Sequence, residues 1–365
     1  MSEAAALINQ NYIAERLKLS TATVSRALRN QPGIHPATRS RVMEVAAELG
    51  YRPLRTRHPK AGGAKANFIG VFIRSLHKGV RPHSLDGMAD MASQMNVSLV
   101  LHHAPLDAAE VLLDPDRQPP ALRDGLLNGA ILVHRWPAEV AKYLTERMAC
   151  VSIIHRVPGV RMDTIDIDHL HGMTLLGRHL HKLGHRKIGF FALCGEIAWS
   201  KARYGGYAQV LCELGLPMDP SLVVDVPAQL LEDRTAQWHD EIDRAAALVK
   251  KGVTALMCAS QWTASVLHRG LMARGLKIPK DVSITGFDDE DRAGLEDLHL
   301  TSTRVAGEAM GAEALRRVLV RMVEPSQPTQ TISFSCTFIE GQSTAAVPVL
   351  RSTPPARRAG ESAKG

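Results

Sequence analysis

Aromatic residues make up only 4% of this 365-residue chain. Leucine, valine, isoleucine, alanine and methionine must therefore fill whatever cores it builds. The five cysteines, Cys150, Cys194, Cys212, Cys258 and Cys336, contain no Cys-x-x-Cys pair. Such wide spacing argues against a zinc knuckle or disulfide framework and fits reduced, mostly buried thiols in a cytoplasm. No apolar run approaches the roughly 18–20 residues that a membrane span needs. The first ten residues have neither the basic nor the long apolar segment of a secretory signal. Catalytic signatures are missing too. There is no G-x-S-x-G, no H-E-x-x-H and no glycine-rich phosphate loop, so no enzyme, metal or cofactor is expected. The densest group of candidate ligands is Asp166, Asp168, His169 and His171, in IDIDHLHG. Satisfied polar residues at a helix start explain it better than a metal.

Charge is unevenly placed. The formal net charge is +7, and residues 1–66 hold 11 Lys and Arg against 4 Asp and Glu. The other 299 residues hold 33 of each sign. A basic head on a neutral body implies a polyanionic partner for the head alone.

Three helices are expected in that head. The first covers about Gln10–Leu17, with Ile13, Ala14 and Leu17 on one face and Asn9 as its N-cap. The second opens at Ser20, a good N-cap, with Val24, Ala27 and Leu28 as a buried stripe. Its other face shows Thr21, Ala22, Ser25, Arg26 and Arg29 and contains no acid. The third follows Pro32-Gly33, with Pro36 in its first turn, Val42, Val45, Ala46 and Leu49 inward, and Gly50 just past its end. Small residues in the first turn of the second helix allow close approach to a DNA major groove. Hydroxyls there suit phosphate oxygens, and Arg26 can bond a guanine edge in bidentate fashion.

The stretch Leu19–Pro53, LSTATVSRALRNQPGIHPATRSRVMEVAAELGYRP, resembles the head of the LacI/GalR family of bacterial repressors. The residues that carry the likeness are Ala14, Leu19, Ser20, Thr23, Val24, Ser25, Arg26, Leu28, Thr38, Arg39, Leu49, Gly50, Tyr51 and Pro53. The resemblance implies that Thr21, Ala22 and Arg26 face bases, while Ser20, Thr23 and Ser25 bind the DNA backbone. Lys18 stands where a turn glycine is usual, and Arg29 where Asn is common. The hinge departs more. Pro59 and Gly62-Gly63 oppose helix formation, and Lys60 falls where a minor-groove wedge Leu is expected. A flexible, basic tether is anticipated, in which Arg55, Arg57, Lys60 and Lys65 add phosphate contacts.

From Phe68 onward, short apolar runs alternate with helical stretches. The runs are Phe68–Ile73, Val97–Leu101, Ala130–Val133, Val151–Ile154, Lys187–Ala192, Ala255–Cys258 and Val282–Phe287. Between them lie Leu85–Met95, Ala138–Met148, Gly172–Leu183, Gly205–Leu214, Thr235–Lys250 and Thr263–Arg274. This alternation predicts parallel sheets covered on both faces, and the number of repeats fits two doubly wound Rossmann-like lobes. The fold class is therefore α/β with a small all-α head. LGHRKIGFF, ARYGGYAQVLCELGLP, IPKDVSITGFDDE and HLTSTRV resemble landmarks of the family's periplasmic-binding-protein-like core. By that resemblance Arg203 binds an effector in the inter-lobe cleft, with Asp288 as its partner. A fork of N–H donors opposite a carboxylate suits vicinal hydroxyls. Ser260 stands where the family has Asn, and Trp262 could stack on a sugar face. His155 and His169 stand where the family often has Asp and Asn.

The expected organisation is a helix-turn-helix domain at 1–57, a linker at 58–66, a two-lobed domain at 67–346 and a disordered tail at 347–365. The expected function is a cytoplasmic, nucleoid-associated, homodimeric repressor of a near-palindromic double-stranded operator, modulated by a carbohydrate-like ligand. Two alternatives stay open: a DNA-binding regulator with a non-responsive cleft, and a cytoplasmic sugar-binding protein.

Overall fold

The computed structural model describes residues 10–28, 33–49, 67–74, 83–104, 106–233, 235–288 and 299–347. Arg29, Arg55, Arg57, the linker at 58–66 and the tail beyond Val347 lie outside them. Contacts divide the chain into one unit at 1–65 and another at 66–365.

The first unit contains α1 (Gln10–Leu17), α2 (Thr21–Leu28) and α3 (Pro36–Glu48). Ile13, Ala14, Leu17, Val24, Ala27, Val42 and Ala46 form its core. Their spacing is the one anticipated for each helix, and Leu28, Val45 and Leu49 pack at its edge. Each of α1 and α2 has only about two turns, too few to persist alone, so this shared core holds them. Lys18 ends the first helix with φ of 55°, a left-handed conformation costly for any residue with a Cβ. Replacing Lys18 with glycine removes that strain at the expense of a more disordered unfolded state. A net gain of about 0.5–1 kcal/mol is expected. Slower hydrogen exchange at the Val24 and Ala27 amides of the full chain would register it. Unchanged exchange would show that the turn is unstrained.

The second unit opens with a lobe made of β1 (Asn67–Arg74), α4 (Ser84–Met95), β2 (Val97–Ala104), a 3-10 segment at Leu106–Leu113, α5 (Pro120–Arg123), β3 (Gly129–Val133), α6 (Ala138–Thr145), β4 (Ala149–Ile153) and β5 (Asp163–Ile167). The chain then crosses into a second lobe of α7 (His169–Lys182), β6 (Ile188–Leu193), α8 (Ala198–Glu213), β7 (Val223–Asp225), α9 (Ala228–Glu232), α10 (His239–Lys250), β8 (Ala255–Cys258), α11 (Gln261–Ala273), β9 (Ser283–Thr285) and β10 (Ser302–Arg304). It returns as α12 (Gly307–Val323) and β11 (Thr331–Phe334), and crosses a third time to β12 (Thr337–Ile339). The first lobe carries a parallel sheet ordered β11-β5-β4-β3-β1-β2, and the second a parallel sheet ordered β7-β6-β8-β9. β10 and β12 pair antiparallel. Both parallel sheets are covered by helices, which is why β3, β5 and β8 are buried along their whole length.

Every apolar run anticipated from Phe68 to Phe287 falls on a strand. The additions are β5, β7 and everything after Phe287. α8 also begins at Ala198, seven residues before the expected Gly205, because its buried face includes Ser200 and Arg203. Polar groups inside break the apolar stripe that marks a helix.

The returning segment is fixed by two devices. A side-chain carbon on Gly311 would overlap the Ser84 carbonyl oxygen, and one on Gly87 would overlap that of Glu308. The α4 and α12 backbones therefore touch, which only glycine at the crossing allows. The second device is a fully buried carboxylate. Asp163, at the start of β5, accepts from Arg317 Nε at 3.0 Å, Arg321 Nη2 at 2.9 Å and the Gln330 amide at 2.7 Å. One side chain thus ties together β5, α12 and the approach to β11.

Candidate functional site

The exposed face of α2 is the first candidate. Thr21, Ala22 and Arg26 are exposed and Ser25 is half-buried, opposite the buried Val24 and Ala27. Ser20 caps the helix: its Oγ accepts from the Thr23 amide at 3.1 Å and lies 2.8 Å from the Thr23 hydroxyl. That cap satisfies one orphan amide and fixes the first turn, so these two hydroxyls hold the helix end while Arg26 projects from its second turn. Arg29, Arg55 and Arg57, the other anticipated phosphate contacts, lie outside the described residues.

The second candidate is the cleft between the lobes of the larger unit. In parallel sheets ligands bind beyond the carboxyl ends of the strands. Four non-glycine residues there have left-handed backbones: His134 after β3, Ile154 after β4, Ala192 in β6 and Asp288 after β9, with φ of 68°, 66°, 71° and 71°. Strain of this kind is characteristic of ligand and switch sites. A cavity of about 320 Å³ opens at Ile154, within the range of small-molecule sites. Asp166, Asp168, His169 and Arg156 line its polar part, and Trp199 and Leu170 are among its apolar walls.

Arg203 stands one layer behind this wall and is 3% exposed. Its Nε donates to His169 Nδ1 at 3.3 Å and its Nη1 to the Ala259 carbonyl at 2.7 Å. The guanidinium lies 3.9 Å from the Phe287 ring centroid and 4.7 Å from that of Trp199, a doubly stacked cation. Burial pulls its pKa down to about 10, and the Asp288 carboxylate is the strongest charge opposing that pull. The relay continues through His169, whose Nε2 is 3.3 Å from Asp166 Oδ1. Because Nδ1 accepts from Arg203, the proton of the imidazole resides on Nε2. Burial also lowers the His169 pKa, against the pull of Asp166. Asp166 itself is opposed by burial but held below the ordinary carboxylate value by His169, the Ile167 amide and Arg156. Arg156 Nε is 3.5 Å from Asp166 Oδ2.

Asp288 is near enough for its carboxylate to act on the Arg203 guanidinium, but neither residue lines the cavity. His155 joins them: it is half-buried, and burial, His134 and the Arg135 and Arg203 cations hold its pKa down to about 3, so it is neutral. Ser260 is placed differently. Its hydroxyl caps α11 by accepting from the Thr263 amide at 3.1 Å, in a reciprocal capping box. Trp262 packs against the core of the unit, with the Arg269 guanidinium 5.7 Å from its ring, and does not line the cavity. Asp168 caps α7 by accepting from the His171 amide at 2.9 Å, so the IDIDHLHG group is a helix start. Among the described residues no group of three or more His, Cys, Asp or Glu could hold a metal.

Asp166 and Trp199 line the cavity without a site role readable from the sequence. Trp238 belongs to the core of the unit and is 4% exposed, its ring tilted 35° against Phe191 at 6.0 Å, and its indole N–H finds no hydrogen-bond acceptor among the described residues. Asp166 was visible only as one acid in a polar run, and the two tryptophans carry no motif.

Comparison with known proteins bears on both candidates. Residues 12–53 match the model of bacterial regulatory proteins of the lacI family. Residues 178–344 match the periplasmic binding protein-like domain. The chain thus carries a lacI-family head and a periplasmic-binding-protein-like body. Its relatives include the HTH-type transcriptional regulator MalR of Streptomyces coelicolor, 28% identical over 94% of this chain and 98% of that protein. The HTH-type transcriptional repressor CytR of Escherichia coli is 26% identical over 92% of this chain and 96% of that protein. Among solved structures, the transcriptional regulator CelR in complex with cellobiose aligns with a TM-score of 0.64 at 21% identity, covering 92% of this chain and 99% of that one. The lac repressor dimer bound to operator aligns with a TM-score of 0.63 at 19% identity, covering 93% and 99%. At those identities the structures establish the shared fold. The LacI-family head makes this chain a DNA-binding transcriptional regulator. Among the described residues no helix is long and apolar enough to cross a membrane.

Proposed function

We propose that this regulator is a cytoplasmic, nucleoid-associated repressor that binds a near-palindromic operator as a homodimer and is modulated by a carbohydrate-like ligand in the inter-lobe cleft. The observation that carries the DNA reading is the exposed face of α2, which has small residues in its first turn, no acid, and Arg26 exposed in its second turn. For the cleft, support comes from a cavity with a carboxylate and guanidinium on one side and Trp199 and Leu170 among its apolar walls. A sugar presents hydroxyls at its rim and C–H groups on its faces, which matches that division. The cellobiose complex and the operator-bound dimer among the structural neighbours point the same way.

Selection from a random DNA pool, with and without a panel of sugars and nucleosides, tests this function. Arg26→Ala is expected to weaken binding to the selected site by about 1–3 kcal/mol and to relax the sequence at one position per half-site. Non-specific binding at low salt should persist. A footprint unchanged by Arg26→Ala would remove that residue from base reading. The burial of Arg203 and the capping role of Ser260 favour a second reading, a regulator whose cleft does not respond to ligand. A thermal-shift screen with the same panel separates the two, since a ligand of the native state raises the melting temperature.

A further inference from the structure

The two lobes are joined by three chain crossings: between β5 and α7, between β10 and α12, and between β11 and β12. β5 and β11 are neighbours at one edge of the first sheet, so the lobes are hinged on that side. β3 lies two strands further in, about 10 Å from β5 at ordinary strand spacing. There the lobes meet again. Arg135, just after β3, places Nη1 2.8 Å from Oε1 of Glu232, the last residue of α9. α9 follows β7, the outer strand of the second sheet.

The first-lobe side of this contact is preorganised. Trp136 is buried and its indole N–H donates to the Val133 carbonyl at 3.0 Å. The Arg74 guanidinium lies 5.7 Å from that ring, and its Nη1 donates to the Arg135 carbonyl at 2.5 Å. Arg74 is also within the field of Glu232, which partly opposes the lowering of its pKa by burial. Glu232 therefore faces one bonded cation and a second close by. On the second-lobe side, the Ala228 amide at the start of α9 is 3.4 Å from Glu196 Oε1, and the Val226 amide donates to the Leu193 carbonyl at 2.8 Å. The Asp166–His169 contact also joins the lobes, but it sits at the hinge.

We propose that Glu232, held by Arg135 and backed by Arg74, is a latch that keeps the lobes closed on the side of the cleft away from the hinge. Both members of the ion pair are more than a third exposed, so the contact shifts the open–closed equilibrium only a few-fold. That is the size a reversible switch needs, because a ligand can shift an equilibrium only by its differential affinity for the two states. The inference rests on the cleft reading above for its regulatory meaning, but its test uses neither effector nor DNA. The two can therefore fail separately.

Nitroxide pairs at Glu139→Cys on α6 and Asp240→Cys on α10 would report the lobe separation in the full chain. Cys212, the exposed native thiol, is replaced by serine. Pulsed electron resonance is expected to give one distance for the native latch. Glu232→Lys should add a longer distance and raise the open-to-closed ratio about fivefold. The exchanged pair, Arg135→Glu with Glu232→Lys, should reverse most of that change. A distance distribution unchanged by Glu232→Lys overturns the latch. So does a change that the exchanged pair fails to reverse while both variants keep the native melting temperature.

Discussion

Asp163→Asn lowers the stability of the two-lobed unit by about 3–5 kcal/mol, the cost of leaving buried cations without their counter-charge. Arg317 and Arg321 are 7% and 11% exposed at the side chain and both converge on Asp163. Asparagine preserves the shape but supplies only one acceptor oxygen and no charge. At roughly 2–4 °C per kcal/mol for a unit this large, calorimetry should show a fall of about 10 °C. A fall below about 2 °C would mean that water compensates the arginines. The triple variant Asp163→Leu with Arg317→Met and Arg321→Met provides a control, since replacing a whole buried charge cluster with apolar groups is often nearly neutral. Acid has the same effect as the amide. Burial opposes ionisation of Asp163, but the Arg321 bond, the Gln330 amide and Arg317 outweigh it and lower its pKa. A lowered carboxylate pKa stabilises the fold above its unfolded value of about 3.9, and that stabilisation is lost as pH falls through the folded value. The Asp163→Asn variant should lack this part of the acid dependence.

Asp163 also shows which parts of the molecule can be read from the chain alone. Six of the seven apolar runs up to Phe287 declare themselves because a strand buried on both faces has no solvent-facing polar position to confuse the pattern, while β2, at the sheet edge, has no buried residue. The head is legible for a similar reason, because its short helices satisfy cap, stripe and turn rules together. What is hidden are elements whose buried faces carry charge. α12 buries Arg317 beneath Asp163, 154 residues away, and no periodicity reveals a pairing over that separation. β10, β11 and β12 are three or four residues long and exist because the crossings bring them beside longer partners. In the cleft, depth is not legible from the chain: Ser260 caps α11, Trp262 packs against the core, and neither lines the cavity. The Asp288 carboxylate acts on Arg203, yet a linear sequence does not tell whether a guanidinium touches ligand or supports the groups that do.

Arg203 decides that question experimentally. Arg203→Ala removes the donors to His169 and Ala259, empties the slot between Trp199 and Phe287, and removes a cation on which the Asp288 carboxylate acts. Loss of buried hydrogen bonds and of a stacked side chain should cost about 3 kcal/mol. Arg203→Lys should recover only part of it, because one ammonium cannot serve both acceptors in the geometry of a guanidinium fork. The accompanying signature is at His169. In the native chain burial and the Arg203 charge keep its pKa below the ordinary 6.5. Below about pH 6.5 the unfolded chain takes up a proton that folded His169 refuses, so stability declines as pH falls. Without Arg203 the His169 pKa rises, drawn by Asp166, and that decline becomes shallower. Both changes are measurable together, by ring-proton NMR titration of His169 and by melting temperature against pH. If Arg203→Ala instead keeps the native stability and the native His169 titration but abolishes ligand-induced thermal shifts, the guanidinium faces the ligand. If stability falls and the His169 titration moves as expected, Arg203 is a positioning residue. The ligand is then met by His169, Asp166 and Trp199, which Arg203 holds in place from behind.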